Sequence, residues 1–157
     1  MKKLFVLVVS MLVMAFALVG CASEEAGPAG SAAEIAENIF TEAGVDPFGP
    51  AAEIIAAENM EWLLGSTEYP EFADSAAVLP MISLDTRVLN VIKAENSDEV
   101  EDIKTALAAN IDPNHLICVT FALEDVIIES RGDVVFMTIN SDHDQRDALA
   151  EAFRTIN

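Results

Sequence analysis

Sixteen consecutive residues without a charge, 4–19 (LFVLVVSMLVMAFALV), follow Lys2 and Lys3 and set the start of this chain apart from the rest. A permanent transmembrane helix needs about 20 apolar residues to cross the hydrocarbon core. A shorter run behind a basic start is the pattern of an export signal, which is removed and takes no part in the fold. Folding is then left to the remaining chain, and that chain is strongly acidic. The 157 residues carry 27 Asp and Glu against 8 Lys and Arg, a formal charge of -19. This balance excludes a nucleic-acid binder, which needs clustered cations on the phosphates. It also argues against attachment to anionic headgroups by surface charge. A hydrophobic fraction of 52% excludes a largely disordered chain.

The apolar run ends in Leu18-Val19-Gly20-Cys21, which resembles the lipobox of bacterial lipoprotein signals. In that family the Cys thiol is alkylated by a diacylglycerol, and a dedicated peptidase cuts just before it. A thiol suits that step because no other side chain is so readily alkylated near neutral pH, and a small residue such as Gly20 fits a protease cleft. The resemblance implies a signal peptide over 1–20, with Leu18, Val19 and Gly20 as the cleavage motif and lipidation at Cys21. It also implies palmitate-type acyl chains, contact with lipoprotein-processing enzymes, and a place on the extracytoplasmic side of the cell membrane. Two acyl chains, at about 0.8 kcal/mol per buried CH₂, hold a protein without help from charge. No cofactor beyond that covalent lipid is expected. Removing the first 20 of the 157 residues leaves 137, with 6 basic and 27 acidic side chains and a balance of -21. Cys118 is then the one free thiol, so the exported domain has no disulfide and relies on its core.

Residues 21–31 are small, polar and acidic with Gly and Pro, and read as a flexible tether before a single domain over 32–157. Ser31 with Glu34 makes a capping box, Ile35, Ile39 and Phe40 share a stripe, and Gly44 ends a helix over 32–43. Pro50 suggests a second helix over 51–64 carrying Trp62. The period then changes. Residues 76–82 and 87–94 read as strands, with Pro80 confining the first to an edge or a bulge. A helix capped by Ser97 stops near Asn110, and 116–122 (LICVTFA) reads as a buried strand. Residues 125–130 and 134–140 form the clearest hairpin, turning at Arg131-Gly132, and a helix over 143–155 closes the chain. The expected fold is α+β: an antiparallel sheet built from β-hairpins with helices packed on one face, preceded by one or two N-terminal helices.

Short stretches give a second resemblance: Met60-Glu61-Trp62-Leu63-Leu64-Gly65, Leu79-Pro80-Met81-Ile82, Val91-Ile92-Lys93-Ala94, the Val100 to Leu107 helix, Gly132-Asp133-Val134-Val135-Phe136, and Ala148 to Phe153. Together they resemble a group of short Gram-positive lipoproteins known only as a domain of unknown function. Residues 111–123 depart from that group's pattern. The group has no established catalytic residues, so the resemblance implies none here.

Among polar clusters, Asp142-His143-Asp144 with Asp147 has the oxygen donors a divalent cation needs. The same residues sit at a helix start, where Asp is favoured by orphan N–H groups and the helix dipole. Capping is the expected role, with Asp142, Asp144 and Asp147 kept as metal candidates. His115-x-x-Cys118 lacks the second ligand pair of a zinc site, and an apolar run favours a buried, inert thiol. Arg131-Gly132-Asp133 spells an integrin-binding tripeptide, but a glycine is needed there by the turn alone. No phosphate-binding glycine loop or nucleophile elbow appears.

Charge is the stronger signal. From Val6 to Thr86 there is no Lys or Arg, while 13 acids fall in that span. Such a surface keeps the domain soluble and attracts basic ligands or cations. The sequence therefore points to a lipid-anchored extracytoplasmic binding or envelope-associated module without catalysis, with an unknown envelope protein or a basic ligand as partner. The alternatives are a metal-dependent or hydrolytic enzyme using 142–147, and an accessory subunit of a cell-surface complex. Cys21→Ser is expected to abolish incorporation of labelled fatty acid and normal processing. Retention of either would refute the lipobox assignment.

Overall fold

The computed structural model describes residues 26–53, 71–81, 84–114 and 118–157. Its elements run α1 (Ala32–Ala43), β1 (Ala51–Glu53), β2 (Asp74–Val78), β3 (Val88–Lys93), α2 (Val100–Asn110), β4 (Val126–Arg131), β5 (Val134–Ile139) and α3 (His143–Thr155). The five strands form one antiparallel sheet in the order β1-β2-β3-β5-β4. The α+β class, the hairpin-built antiparallel sheet and the leading helix are as the sequence implies.

Burial along β3 and β5 organises the layers. All six residues of β5 (VVFMTI) are buried, as are the first five of β3. A strand buried on both faces needs cover on both, and a continuous apolar run is its sequence mark. Leu89, Val91, Val134 and Phe136 point to a core completed by Ile35, Ile39 and Phe40 of α1 and Leu149, Ala152 and Phe153 of α3. On the opposite face Val88, Ile92, Val135, Met137 and Ile139 meet Val100, Ile103 and Leu107 of α2. The helices were expected on one face. They lie on both, because the central strands leave no polar face to present to water.

Local rules place the helix ends. Ser31 Oγ accepts from the Glu34 N–H at 3.3 Å and Glu34 Oε2 accepts from the Ser31 N–H at 2.8 Å, completing the capping box. Gly44 ends α1 at φ 64°, a conformation only glycine adopts without strain. Ser97 does not cap α2 directly. It opens a 3₁₀ turn, Ser97–Glu99, from which α2 continues. β2 stops at Val78, so Pro80 falls beyond the ladder.

Three other expectations change. Residues 51–53 are strand β1, paired Ala51 to Val78, where a helix was expected; the remainder of that span, Trp62 included, lies outside the described residues. Within 116–122, the described part from Cys118 onward is irregular, and Cys118 is exposed. The Phe121 N–H donates back to the Pro113 carbonyl at 3.4 Å, so the segment closes on itself, and Phe121 is its buried residue. Finally, 26–30 was expected to belong to a flexible tether, yet it is packed. Pro28 is buried, and the Gly30 carbonyl accepts Lys93 Nζ at 2.7 Å.

The two poles of the sheet differ. At one are the β4–β5 turn, the start of α1 and the end of α3. Here Arg131 donates to the carbonyls of Phe153 at 3.0 Å, Arg154 at 2.6 Å and Ile156, covering the orphan acceptors of the last turn. At the other pole are the end of α1, the start of α3, and the described loop residues 44–50, 79–81, 84–87 and 140–142.

Phe136 and Phe153 stack 5.0 Å apart at 12°, each fully buried, and tie α3 to β5. Phe153→Ala is expected to lower unfolding free energy by about 3–5 kcal/mol in urea titration. A loss under about 1 kcal/mol would contradict the central place of this stack.

Candidate functional site

The second pole carries a recess formed by its loops. Its formation starts at Gly44. The left-handed cap turns the chain back, with the Val45 N–H donating to the Phe40 carbonyl at 3.2 Å. Two prolines and a glycine then hold loop 46–50 against the end of β2. Gly49 presses so closely on the Leu79 carbonyl that a side chain there would collide with it. Phe48 is carried into the core edge, where it meets Phe40 edge-on at 5.1 Å and 87°. The result is a cleft of about 650 Å³ with Phe40, Val45 and Val78 as its apolar wall and Glu37, Thr41 and Asp46 at its rim.

A smaller recess of about 320 Å³ adjoins it through Gly44, Val45 and Asp46, and brings in Arg87 and Gln145. Arg87 is tightly held. Its guanidinium lies 4.6 Å from the centre of the Phe48 ring, a cation–π contact. Nε donates to both Asp85 oxygens, at 3.0 and 2.9 Å, and Nη2 donates at 2.6 Å. The Asp85 Oδ1 also accepts the Arg87 N–H at 3.0 Å. These hydrogen bonds hold the Asp85 carboxyl below its ordinary range and raise the Arg87 guanidinium, to which Asp142 adds a smaller electrostatic effect. Arg87 and Asn140 each adjoin the last pair of the β3–β5 ladder, Val88–Ile139. Asn140 is buried. Its Oδ1 accepts the Asp142 N–H, while its buried Nδ2 has no partner among the described residues.

Asp142 caps α3. Its carboxylate accepts the Gln145 N–H at 3.2 Å from an extended backbone, the arrangement that the sequence pattern implies. Its neighbours diverge. His143 Nε2 lies 3.0 Å from Asp125 Oδ1, Asp147 Oδ1 accepts from Arg146 at 2.7 and 2.9 Å, and Asp144 is exposed in the first turn. Asp125 is held below the usual carboxylate range first by the Ala122 N–H, then by His143. Among the described residues no three His, Cys, Asp or Glu side chains converge as metal ligands. Asp142, Asp144 and Asp147 thus do not meet at one point; His115 lies outside the described residues, and Cys118 is exposed rather than buried. Arg131 of the Arg-Gly-Asp tripeptide is engaged on α3, and Gly132 takes φ 59° in the turn. Leu18, Val19, Gly20 and Cys21 lie outside the described residues.

The Phe48–Arg87–Asp85 unit was not singled out by sequence reasoning. Two signals were present: an aromatic residue framed by prolines in a loop, and Arg87 as the first cation after a long acid-only span. Searches with this chain against family models, characterised proteins and solved structures gave no match.

Holding Asp85 below its ordinary value stabilises the fold fully above the unfolded value of about 4, and that contribution is lost as pH falls through the lower folded value. The pair is partly exposed, so its worth is about 1 kcal/mol or less. Asp85→Asn is expected to unfold more easily than wild type at pH 7, with the gap narrowing as pH falls below the unfolded value of about 4 in urea titrations. A gap that stays constant with pH would contradict the ion pair's role.

Proposed function

We propose that the protein is a lipid-anchored extracytoplasmic binding module without catalysis, and that the cleft at the α1–β2 pole takes a ligand with a positive charge on an apolar stem. A basic peptide side chain or a polyamine has that chemistry. The observation that carries this reading is the composition of the cleft: an apolar wall of Phe40, Val45 and Val78 under a rim bearing Glu37 and Asp46. Arg87 does not cancel those charges, because Asp85 already neutralises it. An aliphatic stem would desolvate against the wall while its cation reached the rim, the way long basic side chains commonly divide their ends. The lipobox resemblance supplies the anchor, and the likeness to Gram-positive lipoproteins of unknown function is part of the same proposal.

Calorimetric titration of the mature, unlipidated chain with spermidine and with short oligolysine tests it. Saturable binding is expected, weakened about five- to tenfold by Glu37→Gln or Asp46→Asn, as befits partly exposed ion pairs of roughly 1 kcal/mol. Ionic strength must be matched with monovalent salt, since a surface charged to -21 attracts any cation weakly. Equal binding by wild type and a Glu37→Gln/Asp46→Asn variant would overturn the assignment of the cleft.

A further inference from the structure

The first described residues bear on how such an anchor would hold the domain. Ala26 and Gly27 cross the β4–β5 turn with backbone against backbone. A Cβ on Gly132 would stand 2.7 Å from Gly27 Cα and closer still to its nitrogen. A Cβ on Gly27 would stand 2.7 Å from the Arg131 carbonyl oxygen and 2.8 Å from Asp133 Oδ1. Neither residue tolerates a side chain at that crossing, and Gly132 also needs its positive φ. Beyond it the chain stays attached to the same pole: Pro28 is buried, Gly30 accepts from Lys93, and the Ala32 N–H donates to Asp74 Oδ2 at 2.7 Å.

Only residues 22–25 separate Cys21 from this crossing. Even fully extended, the chain from Cys21 to Gly27 reaches about 20 Å. We propose that the Gly132 turn is the membrane-facing pole of the protein, pressed toward the bilayer that holds the acyl chains on Cys21. The inference rests on the lipid anchor put forward above, and it names the surface that the anchor brings to the lipid. Charge does not select this pole, because Glu95, Asp98 and Glu101 are exposed there and repel anionic headgroups. The short covalent link does. The cleft then stands away from the membrane by the length of α3, about 20 Å for its 13 residues. It opens toward whatever lies beyond the bilayer surface.

The test uses the lipidated full-length mature protein in phosphatidylcholine vesicles doped with a nickel-chelating lipid. Exposed Cys118 is changed to Ser, and a nitroxide is attached at Ser97→Cys near the turn or at Met81→Cys on the opposite pole. Collision with lipid-borne nickel is expected to be severalfold stronger at position 97 than at 81. A flexible Gly-Ser segment inserted after Ala22, ahead of the Ala26–Gly27 crossing, should bring the two positions toward equality. Gly132→Ala should do the same if it folds. Equal or reversed nickel exposure in the uninserted protein would overturn the orientation. Flotation with the vesicles and fatty-acid labelling are read on the same samples. Protein that floats and carries lipid but shows equal exposure refutes the orientation alone, whereas protein that carries no lipid refutes the anchor, and the orientation falls with it.

Discussion

Strand β5 is buried from Val134 to Ile139 on both faces, and the position of every helix follows from that constraint. A strand with Val134 and Phe136 on one side and Val135 and Met137 on the other has no face to offer to water. Its ladder partners β3 and β4 satisfy its backbone in full register, and α1 with α3 on one side and α2 on the other remove its side chains from solvent. Once both faces are covered, a ligand has little of the sheet left to reach. What remains is the loops at the two ends of the strands. Recognition in sheets of this kind is therefore a matter of poles, and the two poles here are built very differently.

One pole is pinned by backbone contacts beside a recess of about 550 Å³ that Ala26, Val100 and Asp133 help to line. Gly27 and Gly132 cross where neither has a side chain, Arg131 covers the carbonyl end of α3, and the start of α1 is bonded to Asp74 of β2. The opposite pole is built from loops. There a left-handed cap and a Pro-Gly-Pro loop hold Phe48 beneath Arg87, and a cleft lies beside them. Met81, Leu84 and Leu123, the large apolar side chains most exposed among the described residues, sit on loops at this same end. In the proposed orientation the pinned pole faces the lipid and the loop-built pole faces outward.

Much of this was legible in the sequence because the deciding forces were local. The Ser31–Glu34 box, the Gly44 cap, the turn at Gly132 and the Asp142 cap each depend on a few neighbouring residues and a backbone angle. The 32–43 and 143–155 helices consequently fall where the pattern puts them. What escaped depends on distant partners. Ala51 to Glu53 has helix-forming composition, yet it pairs with β2 because an edge was available there. The 118–122 segment has strand composition, yet no described strand edge takes it up. Residues 26–30 have the composition of a linker, and nothing within them reveals that Gly132, a hundred positions on, leaves room for Gly27. The Arg87–Phe48 contact joins loops almost 40 positions apart, which no local pattern reveals.

The central claim is that residues 26–30, which follow the proposed acylation site, are part of the folded domain and fix which pole the chain leaves from. Nuclear Overhauser spectroscopy on the mature chain with Cys21→Ser, in solution and free of lipid, tests it most directly. The account predicts through-space cross-peaks between the Gly27 amide proton and the Gly132 α-protons, together with slowed exchange of the Ala32 amide. Random-coil shifts over 26–30 with no Gly27–Gly132 cross-peak would contradict it.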